Sequence, residues 1–269
     1  MTAKDSTNVL SSGLLHSRVW AEAYELIDLQ LSPLGLPAIE ALGLGPGDVV
    51  LDIGCGAGQT LFQLAERVGA QGQVIGVDVA PLLLGISRRR TRQLPQVSLI
   101  QADAACVDLP TGSADAVFSR FGVMSFDDAG AAFANFLRIL KPSGKLAFVC
   151  WRSLEENELD HFPLSAAGGG TVLDRRPFSF ADPEHIRRTL EASGFSAITI
   201  QPHDRNVSSG GVDAMTSVLL KVGPLGKLIR ENPALKARAE PRLREALSAL
   251  GNPNMVQLRA SVWVVSARA

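Results

Sequence analysis

Asp48-Val49-Val50-Leu51-Asp52-Ile53-Gly54-Cys55-Gly56-Ala57-Gly58 places three structural signals in one short run. Asp48–Ile53 is a compact apolar stretch bounded by a glycine cluster, which predicts a buried strand. Gly54–Gly58 predicts a loop, because glycine reaches backbone angles that side chains forbid and lets a ligand approach the main chain. Gln59–Val68 predicts a helix whose first turn presents unpaired N–H groups and a partial positive charge. Strand, glycine loop and helix in that order form a corner suited to an anionic group. The dinucleotide fingerprint G-x-G-x-x-G would need glycine at position 59, where Gln59 stands. That departure argues against a nicotinamide-dependent oxidoreductase.

The same rhythm continues downstream. Gln73–Asp78, Gln96–Gln101, Asp115–Ser119 and Lys145–Trp151 predict further strands, with helices over Pro81–Arg92 and Asp127–Leu140 and a turn at Lys141–Gly144. Strands alternating with helices predict an α/β, doubly wound sheet covered on both faces. Upstream, residues 1–12 read as a frayed tail. Leu14–Leu31 reads as a helix with Leu15, Val19, Leu26 and Leu29 among its apolar positions, and Pro33 and Pro37 separate it from a short helix ending at Leu42. Beyond Trp151, helices are expected over Ser153–Leu164, Pro183–Ser193, Val212–Val222 and Ala234–Leu250, with a loop at Gly168–Gly170. Strands are expected at Phe195–Gln201 and Val256–Val265, as an antiparallel edge beside the parallel strands. Three segments follow: an N-terminal helical cap over 1–45, a ligand-binding core over 46–152, and 153–269, which completes the sheet and carries helical insertions.

Composition narrows the classes. A chain of 269 residues with 46% hydrophobic and 20% charged residues is ordinary globular material, which excludes collagen-like and disordered readings. Acids number 27 against 26 bases, so a strongly basic nucleic-acid binder is not expected. The basic stretches Arg88–Arg92 and Lys227–Arg244 read as solvated helix faces. Cys55, Cys106 and Cys150 are widely spaced, which argues against a disulfide framework, a zinc site and an iron–sulfur cluster. Glu155–His161 holds acids and a histidine, but without a second cluster no metal is expected. Neither a secretory signal nor a membrane span is read, so the expected location is cytoplasmic.

Two acids reinforce the glycine loop. Asp78 ends the second strand and Asp103 follows the third, so Asp52, Asp78 and Asp103 recur once per strand–helix unit. In a doubly wound sheet the carboxyl ends of adjacent strands line the ligand crevice. Asp78 is then placed to accept hydrogen bonds from ribose hydroxyls, Asp103 from an adenine amino group, and Asp52 to favour a cationic group beneath the loop. The competing reading is that each Asp merely caps a turn or helix.

The run from Val49 to Pro81 resembles the first two motifs of class I S-adenosylmethionine-dependent methyltransferases. Gln101-Ala102-Asp103-Ala104, Ser113–Phe126 and Phe136–Trp151 resemble the adenine segment, the fourth-strand motif and the fifth strand with its glycine turn. The resemblance spans about residues 44–152, and its flavour is that of the small-molecule branch that includes ubiquinone/menaquinone C-methyltransferases. It implies a Rossmann-like methyltransferase fold of seven strands, the last antiparallel. It also implies S-adenosylmethionine as cofactor, with S-adenosylhomocysteine as product. The methionine part would lie against Gly54, Cys55, Gly56 and Gly58, with Asp52 beneath. Asp78 and Val79 would meet the ribose side, Asp103 and the Ala104 N–H the adenine, and Arg120 and Phe121 would flank the methionine end. Val79 departs from the family, which often has a polar residue after the acid.

The implied reaction is methyl transfer to a small-molecule acceptor by in-line displacement, on carbon, oxygen, nitrogen or sulfur. The alternative is a catalytically inactive fold relative that binds the cofactor for regulation or assembly. Candidate bases are His16, His161 and Tyr24, followed by His203, His185 and Asp127. Trp20, Trp151, Phe121, Met124 and Phe126 are candidates for an apolar acceptor pocket. No nucleic-acid partner is expected. The N-terminal helix would either cap its own pocket or pair with a second copy, which leaves a homodimer open.

Overall fold

The computed structural model describes residues 3–169 and 175–269, with side chains from residue 17 onward. Five parallel strands, β1 (Val49–Ile53), β2 (Gln73–Asp78), β3 (Val97–Gln101), β4 (Ala114–Arg120) and β5 (Leu140–Trp151), are joined by β6 (Ser196–Val207) and β7 (Leu258–Arg268). The seven strands run in the order β3-β2-β1-β4-β5-β7-β6, and β7 is antiparallel to both of its neighbours. The expected antiparallel pair is therefore present, with β7 inserted beside β5 and β6 at the margin.

Alternation along each central strand serves both faces, as a parallel sheet requires. Val50, Val74, Phe118 and Val149 pack one way, against helices α2 (Gln59–Val68) and α3 (Pro81–Arg90). Leu51, Val77, Val117 and Phe148 pack the other way, against α4 (Ala129–Ile139) and α6 (Pro183–Ala192). Asp128 caps α4 by accepting from the Ala131 N–H at 2.9 Å, and Asp182 caps α6 from the Glu184 N–H at 3.0 Å. A third cluster gathers α5 (Glu158–Ala166), α7 (Val212–Leu219), α8 (Gly223–Glu231) and α9 (Leu235–Ser248) beyond the carboxyl end of the sheet.

The N-terminal segment departs from expectation. One helix, α1, runs from Ala3 to Leu42 through Pro33 and Pro37, where a tail, a helix and a second short helix were expected. No proline stands between Ala3 and Pro33 to stop it. Past Pro33, Leu34, Ala38, Ile39 and Leu42 are buried at helical spacing, and that packing outweighs the two backbone hydrogen bonds lost at the prolines. Lys145 Nζ donates to the Leu42 carbonyl at 2.7 Å and closes the helix end. Leu29 is 61% exposed and does not join the apolar face assigned to it.

Smaller differences have local causes. The Lys141–Gly144 turn survives as an irregularity within β5: Ala114 pairs Leu140, whereas Ala116 pairs Lys145. Residues 153–157 form turns before α5, pinned by buried Asn157, whose Nδ2 donates to the Ser153 carbonyl at 3.0 Å and whose Oδ1 accepts from the Ser261 N–H at 2.7 Å. Helix α8 was not expected, since glycines at 223 and 226 weaken its sequence signal. Gly170 lies outside the described residues. No helix among those described is long and apolar enough to cross a membrane.

Candidate functional site

The turn after β1 is shaped by glycine geometry. Gly54 has φ +71°, and a Cβ there would stand 2.9 Å from the Gly122 Cα, so the loops after β1 and β4 touch backbone to backbone. Gly58 has φ +85°, and a Cβ there would stand 2.4 Å from Ser87 Oγ on α3. The loop is held by the Gly54 N–H bond to the Val77 carbonyl at 2.9 Å and the Gly58 N–H bond to the Cys55 carbonyl at 2.9 Å. α2 therefore starts with its N–H groups facing the crevice.

Asp52 lies beneath this loop, 1% exposed. Thr60 Oγ1 donates to its Oδ2, and its Oδ1 has no hydrogen-bond partner. Burial pushes the carboxyl up to about 7, against opposing contributions from Thr60 and the Arg120 charge. A cation delivered to Oδ1 would reverse much of that cost. Asp78, at the end of β2, accepts from the Gly56 N–H at 2.8 Å and the Ala80 N–H at 2.8 Å. It thereby ties the glycine loop to the second strand. Burial raises its carboxyl, and those amides pull the other way. Each oxygen keeps a lone pair for a hydroxyl donor. Asp103 is exposed and caps a 3₁₀ turn by accepting from the Ala105 N–H at 2.9 Å, while Ala104 is buried behind it. The Ala102 N–H bond to the Asp78 carbonyl at 3.2 Å keeps the two strand ends adjacent.

One pocket brings together Tyr24, Gly54, Cys55, Gly56, Gly58, Arg120 and Phe121 of the expected residues. Cys55 is buried, and burial raises its thiol well above the ordinary value, so its backbone rather than its sulfur shapes the loop. Val79 is 64% exposed and lies outside the pocket lining. Phe121 adopts φ +64°, an uncommon backbone state for a bulky residue, and its ring stacks on Trp151 at 4.1 Å and 17°. That pair marks the carboxyl ends of β4 and β5. Trp20 also lines the pocket, whereas Met124 and Phe126 pack in the sheet core.

The candidate bases separate. Tyr24 is at the pocket, its hydroxyl donating to Glu25 Oε1 at 3.1 Å, and that bond raises the phenol above its ordinary value. His161 sits partly buried on α5, away from the pocket lining. His185 is exposed and stacks on Phe180 at 5.5 Å. His203 lies on β6 with a buried, unpartnered Nε2, and Asp127 is exposed before α4. The His16 side chain lies outside the described residues.

Asp28 and Gln59 line the pocket and Arg90 stands against Asp28 behind it, and none of the three had a site role in the expectations. Arg90 is the exception to the solvated face read over 88–92, whose other arginines are exposed. Its Nη1 stands 2.8 Å from Asp28 Oδ2 and 2.9 Å from the Ala57 carbonyl, and its guanidinium lies 5.0 Å from the Tyr24 ring. The signal was available in spacing, because Arg90 follows buried Leu83, Ile86 and Ser87 on the inner face of α3. Asp28 and Gln59 carried no comparable local signal.

Comparison with known proteins agrees with this geometry. Residues 50–144 match a family described as a methyltransferase domain. Over 119 residues the chain is 38% identical to aklanonic acid methyltransferase DauC of Streptomyces sp. (strain C5), covering 44% of this chain and 54% of that protein. Over 158 residues it is 32% identical to 2-phytyl-1,4-naphtoquinone methyltransferase of Synechococcus elongatus, covering 55% of this chain and 65% of that one. The matched part spans about half the length of the first of these relatives. In fold it is similar to the YcgJ protein of Bacillus subtilis, with TM-score 0.59, 19% identity, and 87% and 97% of the two chains covered. Residues 50–144 are therefore a methyltransferase domain, set within the strand order and behind the glycine loop described above.

Proposed function

We propose that the chain transfers a methyl group from S-adenosylmethionine to a small, largely apolar ring-bearing acceptor of the quinone or polyketide kind. The observation that carries the cofactor is Asp52: a buried carboxylate oxygen without a partner, directly under a glycine loop at a helix N-terminus. The cofactor's amino-acid end carries an ammonium that suits this oxygen. Asp78 is proposed for the ribose hydroxyls, Asp103 and the Ala104 N–H for the adenine, and exposed Val79 for the ring face between them. Gly54, Cys55, Gly56 and Gly58 supply backbone along the methionine chain, with Arg120 and Phe121 at its far end.

The bound cofactor supplies a methyl on a sulfonium, a good leaving group for in-line displacement. The protein's own residues then position the acceptor and exclude water. The stacked Phe121–Trp151 pair and Trp20 offer flat apolar surface at the carboxyl ends of β4 and β5, where a ring system would lie. Tyr24 stands at the mouth with its hydroxyl turned to Glu25. The 1–45 segment supplies the cap through α1, and 153–269 supplies the helical wall facing it. The quinone and polyketide methyltransferases among the relatives support the acceptor class.

Calorimetric titration tests the reading. Wild-type protein should bind S-adenosylmethionine and S-adenosylhomocysteine, and Asp78→Ala should weaken both by about 1–3 kcal/mol, the scale of hydrogen bonds to a charged group. A mass-spectrometric screen of naphthoquinols and polyphenolic acceptors should then show a 14-dalton gain, about one methylene. Binding that is indifferent to Asp78→Ala removes Asp78 from the site.

A further inference from the structure

We propose that Asp28 is a built-in competitor for the cofactor's carboxylate: α1 seats its side chain between Arg90 and Arg120 at the glycine loop, and the cofactor displaces it to bind. The inference rests on the cofactor reading above.

Two guanidinium groups from different elements converge there. Arg90, from α3, approaches Asp28 Oδ2 at 2.8 Å, and Arg120, at the end of β4, stands 3.9 Å from Oδ1. Arg120 also donates to Gln59 Oε1 in the first turn of α2. The charges point at the N-terminus of a ten-residue helix that opens on a glycine loop. Helix dipole, backbone N–H groups and two guanidinium groups all favour an anion at that place. The anion found there belongs to the protein itself.

Asp28 is a poor fit for the position it occupies. Arg90 directs a hydrogen bond to the Ala57 carbonyl, and Asp28 Oδ2 has no aligned hydrogen bond despite its short contact. The side chain is 16% exposed, and burial raises its carboxyl although both arginines oppose that shift. A free carboxylate with adjustable geometry would pair with the same donors better. The pocket holds a cavity of about 50 Å³, room for only a few water molecules. Its outer wall is the face of α1 that carries Trp20, Tyr24 and Asp28. Ser32 continues that seal by accepting from Gln59 at 2.9 Å and Gln63 at 3.2 Å. An amino-acid chain therefore gains its space from α1, and Asp28 is the charge on α1 that it meets. Asp52 does not play the same part, because it is buried under the loop and bound by Thr60 rather than lining the pocket.

The test compares two probes that differ only at this end. S-adenosylhomocysteine carries the amino-acid carboxylate; 5′-methylthioadenosine keeps the nucleoside and thioether without it. Asp28→Asn should bind S-adenosylhomocysteine about tenfold more tightly than wild type, and 5′-methylthioadenosine within about twofold of wild type. Asp28→Glu, which restores a carboxylate, should bring S-adenosylhomocysteine binding back to wild type or weaker. Asp28→Ser gives the same readout as the asparagine variant should the latter fold poorly. Weaker or unchanged S-adenosylhomocysteine binding in the neutral variants overturns the proposal, and equal shifts for both probes would show a purely structural role and overturn it too. A wild-type protein that binds neither probe instead overturns the cofactor reading.

Discussion

Asp52→Asn should stabilise the unliganded protein at alkaline pH while weakening its hold on the cofactor. The carboxyl is 1% exposed, one oxygen accepts from Thr60 and the other has no partner. Burial lifts it from the ordinary 3.8 to about 7. Between those values the folded state holds a proton that the unfolded chain has released. Wild-type stability therefore falls as pH rises through that window and levels off above it. A gap of about three units, at about 1.36 kcal/mol each, places the full penalty at roughly 4 kcal/mol. Asparagine never ionises, so it escapes the penalty. It keeps an oxygen for Thr60 but leaves an amide donor where Oδ1 stood, at a cost of about 1–3 kcal/mol. The net gain should be about 1–3 kcal/mol at pH 8, shrinking as pH falls below about 7 and reversing between about pH 6 and pH 4.5.

Urea unfolding followed by the fluorescence of Trp20, Trp151 and Trp263 reads this directly, with wild type and variant compared at each pH. Asp160 is also buried and raised to about 7, and it adds the same pH dependence to both proteins, so the difference between them isolates Asp52. Cofactor affinity should move the other way and fall by roughly tenfold to a hundredfold, the worth of a hydrogen bond to a charged group. A variant destabilised by the same amount at pH 4 and pH 8 would refute the reasoning, because Asp52 would then be ionised and satisfied in the folded protein.

Two further perturbations probe the scaffold. Gly58→Ala places a methyl 2.4 Å from Ser87 Oγ at φ +85°, and should lower stability by about 1–3 kcal/mol in thermal or urea unfolding, with Ser87→Gly in the same chain recovering part of the loss. Asp115 accepts from the Val49 N–H at 2.8 Å and from Lys141 at 2.8 Å; burial opposes its charge, but these partners outweigh it and hold the carboxyl below its ordinary value. Its contribution is then present above the ordinary carboxylate range and lost as pH falls through the depressed value. With the side chain 28% exposed, Asp115→Ala should cost only about 1 kcal/mol, with the difference from wild type vanishing in acid.

How much of this was legible in the sequence follows the range of the forces involved. The first two strands, the glycine loop and α2 were readable because their signals sit within a few residues of one another: an apolar run, glycines at positive φ, and an amphipathic helix at Gln59–Val68. The acids at 52, 78 and 103 were readable because each strand–helix unit returns the chain to the same edge of the sheet. The path of α1 was not, because Pro33 and Pro37 are strong local breakers and the compensation lies in Leu34, Ile39 and Leu42, which pack against residues distant in sequence. The polar cluster at the pocket mouth was hidden for the same reason. Arg90 looks like one member of a basic run until α1 is laid across it, and Asp28 carries no signal of its own within the helix expected over Leu14–Leu31. Once α1 is in place, Asp28 faces two guanidinium groups at the helix N-terminus where the proposed cofactor would place its carboxylate. The same helix that closes the pocket thus carries the charge its ligand must displace, and cofactor affinity becomes a difference between two carboxylates competing for the same pair of arginines.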